Sequence, residues 1–129
     1  MSVVDSSSAT IAFLYTADIE RCLGWYGSML GMHCEERDAY GAWLASRGAR
    51  VRVTALPDFT PTEHPVVGWQ VPDLVETAAE LRGKGVSFTI YEGLGQDPNG
   101  IWTSPDGEER LAWLSDPDRN VLMLAETKS

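Results

Sequence analysis

An internal repeat constrains this chain more than any other feature. Ile11, Asp18 and Ile19 stand 55 positions before Val66, Asp73 and Leu74, and the same order of elements follows each set. In the first copy, Ile11-Ala12-Phe13-Leu14-Tyr15 is a short apolar and aromatic run, the profile of a strand buried on both faces. Asp18 then caps a helix whose apolar positions Ile19, Cys22, Leu23, Tyr26, Met29 and Leu30 recur at spacings suited to one helix face, and Gly31 stops it. Strand-like stretches follow at 33–37, 42–47 and 50–56, with Gly41 and Gly48 as turn residues.

The second copy opens on Val66-Val67-Gly68-Trp69-Gln70-Val71 as a strand. Asp73 caps a helix with Glu76 completing a capping box, Leu74, Val75, Ala78 and Leu81 form its apolar face, and Gly83 and Gly85 end it. Three more strands are expected at 86–91, 110–115 and 120–126. Both halves therefore read β-α-β-β-β, an α+β class of two βαβββ modules. The boundaries are a flexible leader at 1–10, module one at 11–57, a Pro-containing linker at 58–65, module two at 66–126 and a tail at 127–129. Halves of roughly 55 to 60 residues are too small to hide both faces of a sheet alone. A single domain at 11–126, with curved mixed sheets around a cleft, is the expected solution, and the cleft is the default ligand site.

Composition excludes several functions. With 129 residues and a formal net charge of −9, the surface is a poor partner for nucleic acid. The acidic balance would favour a cationic ligand, or it serves only to keep the protein soluble. No apolar run approaches the roughly 18 residues of a membrane span, and the serine-rich start lacks a basic and apolar signal pattern. Cys22 in the helical pattern and Cys34 in a strand pattern read as reduced packing thiols, which suits a cytoplasmic protein.

Three segments carry a family likeness. Asp18-Ile19-Glu20-Arg21 through Trp25-Tyr26-Gly27 to Leu30-Gly31-Met32 resembles the opening helix of the vicinal oxygen chelate (VOC) superfamily, which includes glyoxalases, bleomycin resistance proteins and extradiol dioxygenases. Val71-Pro72-Asp73-Leu74 with Leu81-Arg82-Gly83-Lys84-Gly85-Val86 resembles the helix of its second module, and Leu111 to Asn120 resembles its closing Asp-Pro hairpin. Arg119 departs from that pattern by standing where glycine is usual, so the turn is expected either to be strained there or to adopt a different turn type.

The resemblance implies a divalent metal held by His, Gln or Glu at positions matching Ile11, Val66, Met123 and either Arg52 or Thr54. Strand alternation sends Leu14, Thr16, Leu122 and Leu124 toward the helices. It leaves Ile11, Phe13, Tyr15, Arg50, Arg52, Thr54, Val66, Gly68, Gln70, Val121, Met123 and Ala125 for the cleft. Hydrocarbon, thioether and guanidinium groups do not ligate such ions, so no metal and no cofactor are expected. His33 and His64 read as surface residues.

The expected ligand-binding residues are Phe13, Tyr15, Trp43, Arg52, Gln70, Tyr91, Trp102 and Met123. Aromatic faces beside a few polar groups suit a flat organic molecule, and plain core packing is the alternative. The segment 92–107 reads as a flexible loop. Its Trp102 reads either as an exposed indole awaiting a partner or as a lid packed on its own domain. Trp25, Trp69 and Trp113 read as core.

No catalytic set is recognisable. Asp97, Glu92 and Tyr91 are general acid or base candidates without an identifiable partner. Two functions follow: a metal-independent protein that sequesters a small aromatic or cationic molecule, as in the resistance branch, or a glyoxalase-like enzyme with an unusual active site. The resemblance implies a homodimer, with modules paired within one chain or exchanged between subunits.

Overall fold

The computed structural model describes residues 3–46 and 48–128. Met1 and Ser2 of the expected leader, Arg47 at the end of the expected 42–47 strand, and Ser129 of the tail lie outside the described residues. The chain forms two compact units, Met1–Thr60 and Pro61–Ser129. No helix among the described residues is long and apolar enough to cross a membrane.

The first unit contains β1 (Thr10–Thr16), α1 (Ile19–Leu30), β2 (Cys34–Arg37), β3 (Gly41–Ser46) and β4 (Ala49–Ala55). Its sheet order is β1-β4-β3-β2, with β1 parallel to β4 and the other pairs antiparallel. A parallel pair needs a long crossover, and α1 lies within it. The Asp18 side chain accepts the Arg21 N–H at 3.1 Å, and Gly31 closes the helix at φ 69°, where a side chain would be strained. Thr16 is buried but satisfied, because its hydroxyl donates to Asp18 O and accepts Asp18 N–H. Leu14, Cys22, Tyr26, Ala42, Leu44, Val51 and Val53 are at most 1% exposed and form the core. Each of the larger side chains contributes about 1.5–3 kcal/mol on burial.

The second unit repeats the plan with β5 (Pro65–Gln70), α2 (Leu74–Gly83), β6 (Trp102–Thr103), β7 (Glu109–Ser115) and β8 (Val121–Thr127). Its sheet order is β5-β8-β7-β6, again with the first and last strands parallel. Leu74, Ala78, Leu81, Ala112, Leu114, Leu122 and Leu124 form its core. Asp73 accepts the Glu76 N–H at 3.0 Å, and Glu126 of β8 accepts the Leu74 N–H at 2.7 Å. The start of α2 is thus fastened to its own sheet as well as capped locally.

Several expectations need correction. Residues 86–91 do not form a strand. Only an isolated bridge between Phe88 and Leu114 marks the place, and Trp102–Thr103 is the fourth strand instead. The reason is local: the Gln96 side chain accepts the Tyr91 N–H at 2.7 Å and donates to Thr89 O at 2.8 Å and Gly100 O at 2.7 Å. Backbone groups that a ladder would use are bonded to an amide side chain. The segment 92–107 is therefore pinned rather than loose, and Trp102 sits in β6 opposite Leu111. β1 is not buried on both faces, since Ile11 is 42%, Phe13 56% and Tyr15 41% exposed. Val75 and Cys34 are exposed rather than packed. Arg119 adopts φ 67°, as its place in a glycine turn leads one to expect.

Candidate functional site

Each sheet packs one face on its helix and turns the other away. In the first sheet the register fixes three rows on the helix-free face: Ile11, Arg50 and Ala45; Phe13, Arg52 and Trp43; and Tyr15, Thr54 and Gly41. Strand alternation puts these residues opposite the buried Leu14, Val51, Val53, Ala42 and Leu44. Of the expected site residues, Phe13, Tyr15, Trp43 and Arg52 are brought together here. Phe59 joins them, with its ring 6.2 Å from that of Tyr15. Phe59 falls in the segment read as linker, so nothing in strand alternation could have found it.

The electrostatics of this face centre on two arginines. Arg50 lies over the Trp43 ring at 4.0 Å, and Arg52 stands 5.3 Å from the same centroid. Arg52 Nη2 donates to Asp38 Oδ1 at 2.9 Å. That oxygen also accepts the Tyr40 N–H at 2.8 Å and the Gly41 N–H at 3.0 Å. The Arg52 hydrogen bond, with help from the Tyr40 N–H, lowers the Asp38 pKa from 3.8 to about 2. Arg52 is raised in return, chiefly by its bond to Asp38, with Glu36 adding a longer-range attraction. Arg52 Nη1 is shielded from solvent and has no partner among the described residues. A shielded donor without an acceptor costs about 1–3 kcal/mol. Gly41 is required at the foot of this face, because a Cβ there would meet Val53 O at 1.9 Å.

In the second sheet, Gly68, Gln70, Met123, Ala125, Leu111 and Trp113 face away from α2, opposite the buried Leu122, Leu124, Ala112 and Leu114. One row runs through Gln70, Ala125, Leu111 and Trp102. Another runs through Gly68, Met123 and Trp113, with the Tyr91 ring edge-on to Trp113 at 5.6 Å. Gln70, Tyr91, Trp102 and Met123 are thus all associated with this face. Trp113, read as core, belongs to it too. The signal was present, since Trp113 alternates with the buried Ala112 and Leu114. Trp69 does face the helix side, paired with Leu124. Val66 is displaced from the expected row by a β-bulge between Pro65 and Val67, which leaves Gly68 and Gln70 in register.

The residues at the four family metal positions do not fit a divalent cation. Ile11 and Val66 offer hydrocarbon, Met123 a thioether, and Arg52 or Thr54 a cation or a neutral hydroxyl. Among the described residues no three His, Cys, Asp or Glu side chains cluster as a metal site. His33 and His64 are exposed. Asp97 is occupied structurally: its Oδ1 accepts the Asn99 N–H at 2.8 Å and the Ile101 N–H at 2.9 Å, tightening the loop before β6. Glu92 is exposed, and Tyr91 packs on Trp113.

No protein-family model matches the sequence, and no curated protein matches it. Solved structures do match in three dimensions. A glyoxalase/bleomycin resistance protein/dioxygenase from Alicyclobacillus acidocaldarius superposes with a TM-score of 0.72 at 16% identity, covering 97% of this chain and 95% of that one. A bleomycin resistance determinant encoded on the transposon Tn5 gives 0.70 at 22% identity, covering 95% and 99%. A fosfomycin resistance protein from Listeria monocytogenes gives 0.73 at 12% identity, covering 98% and 96%. The chain therefore has the VOC fold, the paired βαβββ plan of the glyoxalase and bleomycin resistance proteins.

Proposed function

We propose that this protein binds a small aromatic organic molecule without a metal ion, through the helix-free aromatic faces of its sheets. The observation that carries this reading is the first face: Phe13 and Tyr15 are 56% and 41% exposed beside Trp43, Arg50 and Arg52. Large aromatic groups left on one sheet face, with a few charged groups fixed among them, suit a flat ligand. Gln70, Tyr91, Trp102 and Met123, with Trp113, provide a surface of the same kind on the second sheet.

The aromatic character is retained over the cationic one. Attraction of a cation rests on the net charge of −9, whereas the first face presents two guanidinium groups. Resistance by sequestration is the physiological use this reading supports, in line with the resistance proteins that share the fold. An enzymatic reading has less support, because Asp97 is spent on its loop and the family metal positions lack ligating groups. A cytoplasmic homodimer completes the proposal. The free thiols of Cys22 and Cys34 accord with a reducing compartment, and light scattering on the purified protein tests the dimer.

Isothermal titration with cinnamamide and with bleomycin tests the binding reading. Saturable binding of at least one, weakened about tenfold by Trp43→Ala, is the expected result. Absence of heat and of any thermal shift with both compounds would overturn it. Turnover of a bound compound would move the protein to the enzyme class.

A further inference from the structure

Arg52 occupies the middle row of the first sheet's helix-free face, between Phe13 and Trp43. Its Nη2 is committed to Asp38, yet its Nη1 is shielded from solvent and the described residues provide it no acceptor. Arg50 adds a second guanidinium against the same indole, at 4.0 Å. Asp38 pairs with Arg52 at 2.9 Å, and Glu36 acts on Arg52 at longer range.

We propose that Arg52 is an anion-recognition residue that holds the carboxylate of an aromatic ligand, with Trp43 and Phe13 taking the ring. The proposal rests on the preceding reading, that this face binds an aromatic molecule, and names the ligand's chemical class. A planar guanidinium fork matches a carboxylate better than it matches any neutral group. Nη1 is covered, so a side-chain shift must uncover it for a ligand carboxylate, and the bond then forms with little competing water. The acidity of the whole surface then acts against indiscriminate binding of anions, so the aromatic ring and the guanidinium must be engaged together.

The test compares three ligands of one shape: cinnamate, cinnamamide and cinnamylamine, titrated calorimetrically at neutral pH against the wild type and Arg52→Gln. Cinnamate is expected to bind the wild type about tenfold more tightly than cinnamamide, with cinnamylamine weakest. In Arg52→Gln the advantage of cinnamate over cinnamamide disappears. Equal affinities of cinnamate and cinnamamide for the wild type would overturn the proposal and leave the aromatic-binding reading standing. No binding of any of the three would overturn the proposal, and, if bleomycin does not bind either, the aromatic-binding reading with it. Circular dichroism checks that Arg52→Gln folds. Should it fail to fold, the wild-type comparison alone decides.

Discussion

Asp38 accepts three hydrogen bonds on one oxygen, from Arg52, Tyr40 and Gly41, and this small group couples a turn to the middle of the first sheet. Its carboxyl sits below its unfolded value, so the pairing stabilises the fold at and above the ordinary carboxylate range. That contribution is lost as pH falls from 3.8 through about 2. A carbon-detected NMR titration should place the Asp38 midpoint near 2 in the wild type and return it toward 3.8 in Arg52→Gln. An unchanged midpoint in the variant would contradict the assignment. Arg119 presents a separate prediction. It holds φ 67° at an exposed turn position, a conformation that costs an L side chain about 1–2 kcal/mol. Arg119→Gly should raise stability by about 1 kcal/mol, seen as a melting temperature about 2–4 °C higher. The Asp116 side chain, buried and accepting from Asp118 N–H, Asn120 N–H and Asn120 Nδ2, holds that turn in place and absorbs the strain.

The second module shows which elements a sequence declares and which it conceals. Both helices are legible from their Asp caps and apolar spacing, and five of the six strands expected beyond the opening ones lie where alternation puts them, although Arg47, the last residue of the expected 42–47 strand, lies outside the described residues. The remaining expectation, at 86–91, fails because its apolar run satisfies the pattern while its backbone is bonded to the Gln96 side chain. A side chain five to seven residues away leaves no trace in periodicity. Gln96→Ala should therefore loosen the whole segment before β6. The expected cost is about 2–3 kcal/mol, with hydrogen exchange at the Tyr91 amide faster by about tenfold or more. Protection unchanged in the variant would show that the loop is held by something else. The tight approach at Gly41 is also invisible in sequence, because a turn glycine and a packing glycine read alike. Gly41→Ala, driven against Val53 O, should cost about 2–3 kcal/mol in chemical denaturation.

At the scale of the whole molecule, the 55-residue offset between the two copies makes the βαβββ plan legible in the sequence. Each unit closes the same strand order, so the faces that carry Phe13, Trp43 and Arg52 in one and Trp102, Trp113 and Met123 in the other follow from one register rule. Alternation found most of the candidate site. It could not reach Phe59, which meets Tyr15 from outside any strand, and Trp113, read as core from its place in a patterned element, alternates onto the helix-free face. The net charge of −9 describes the whole surface, whereas the face around Arg52 carries two guanidinium groups. The central claim is binding that needs no metal. Calorimetric titration of cinnamamide into chelator-treated protein, repeated after adding zinc or manganese, tests it most directly. The account predicts the same affinity in all three titrations, and binding that appears only with the added metal would contradict it.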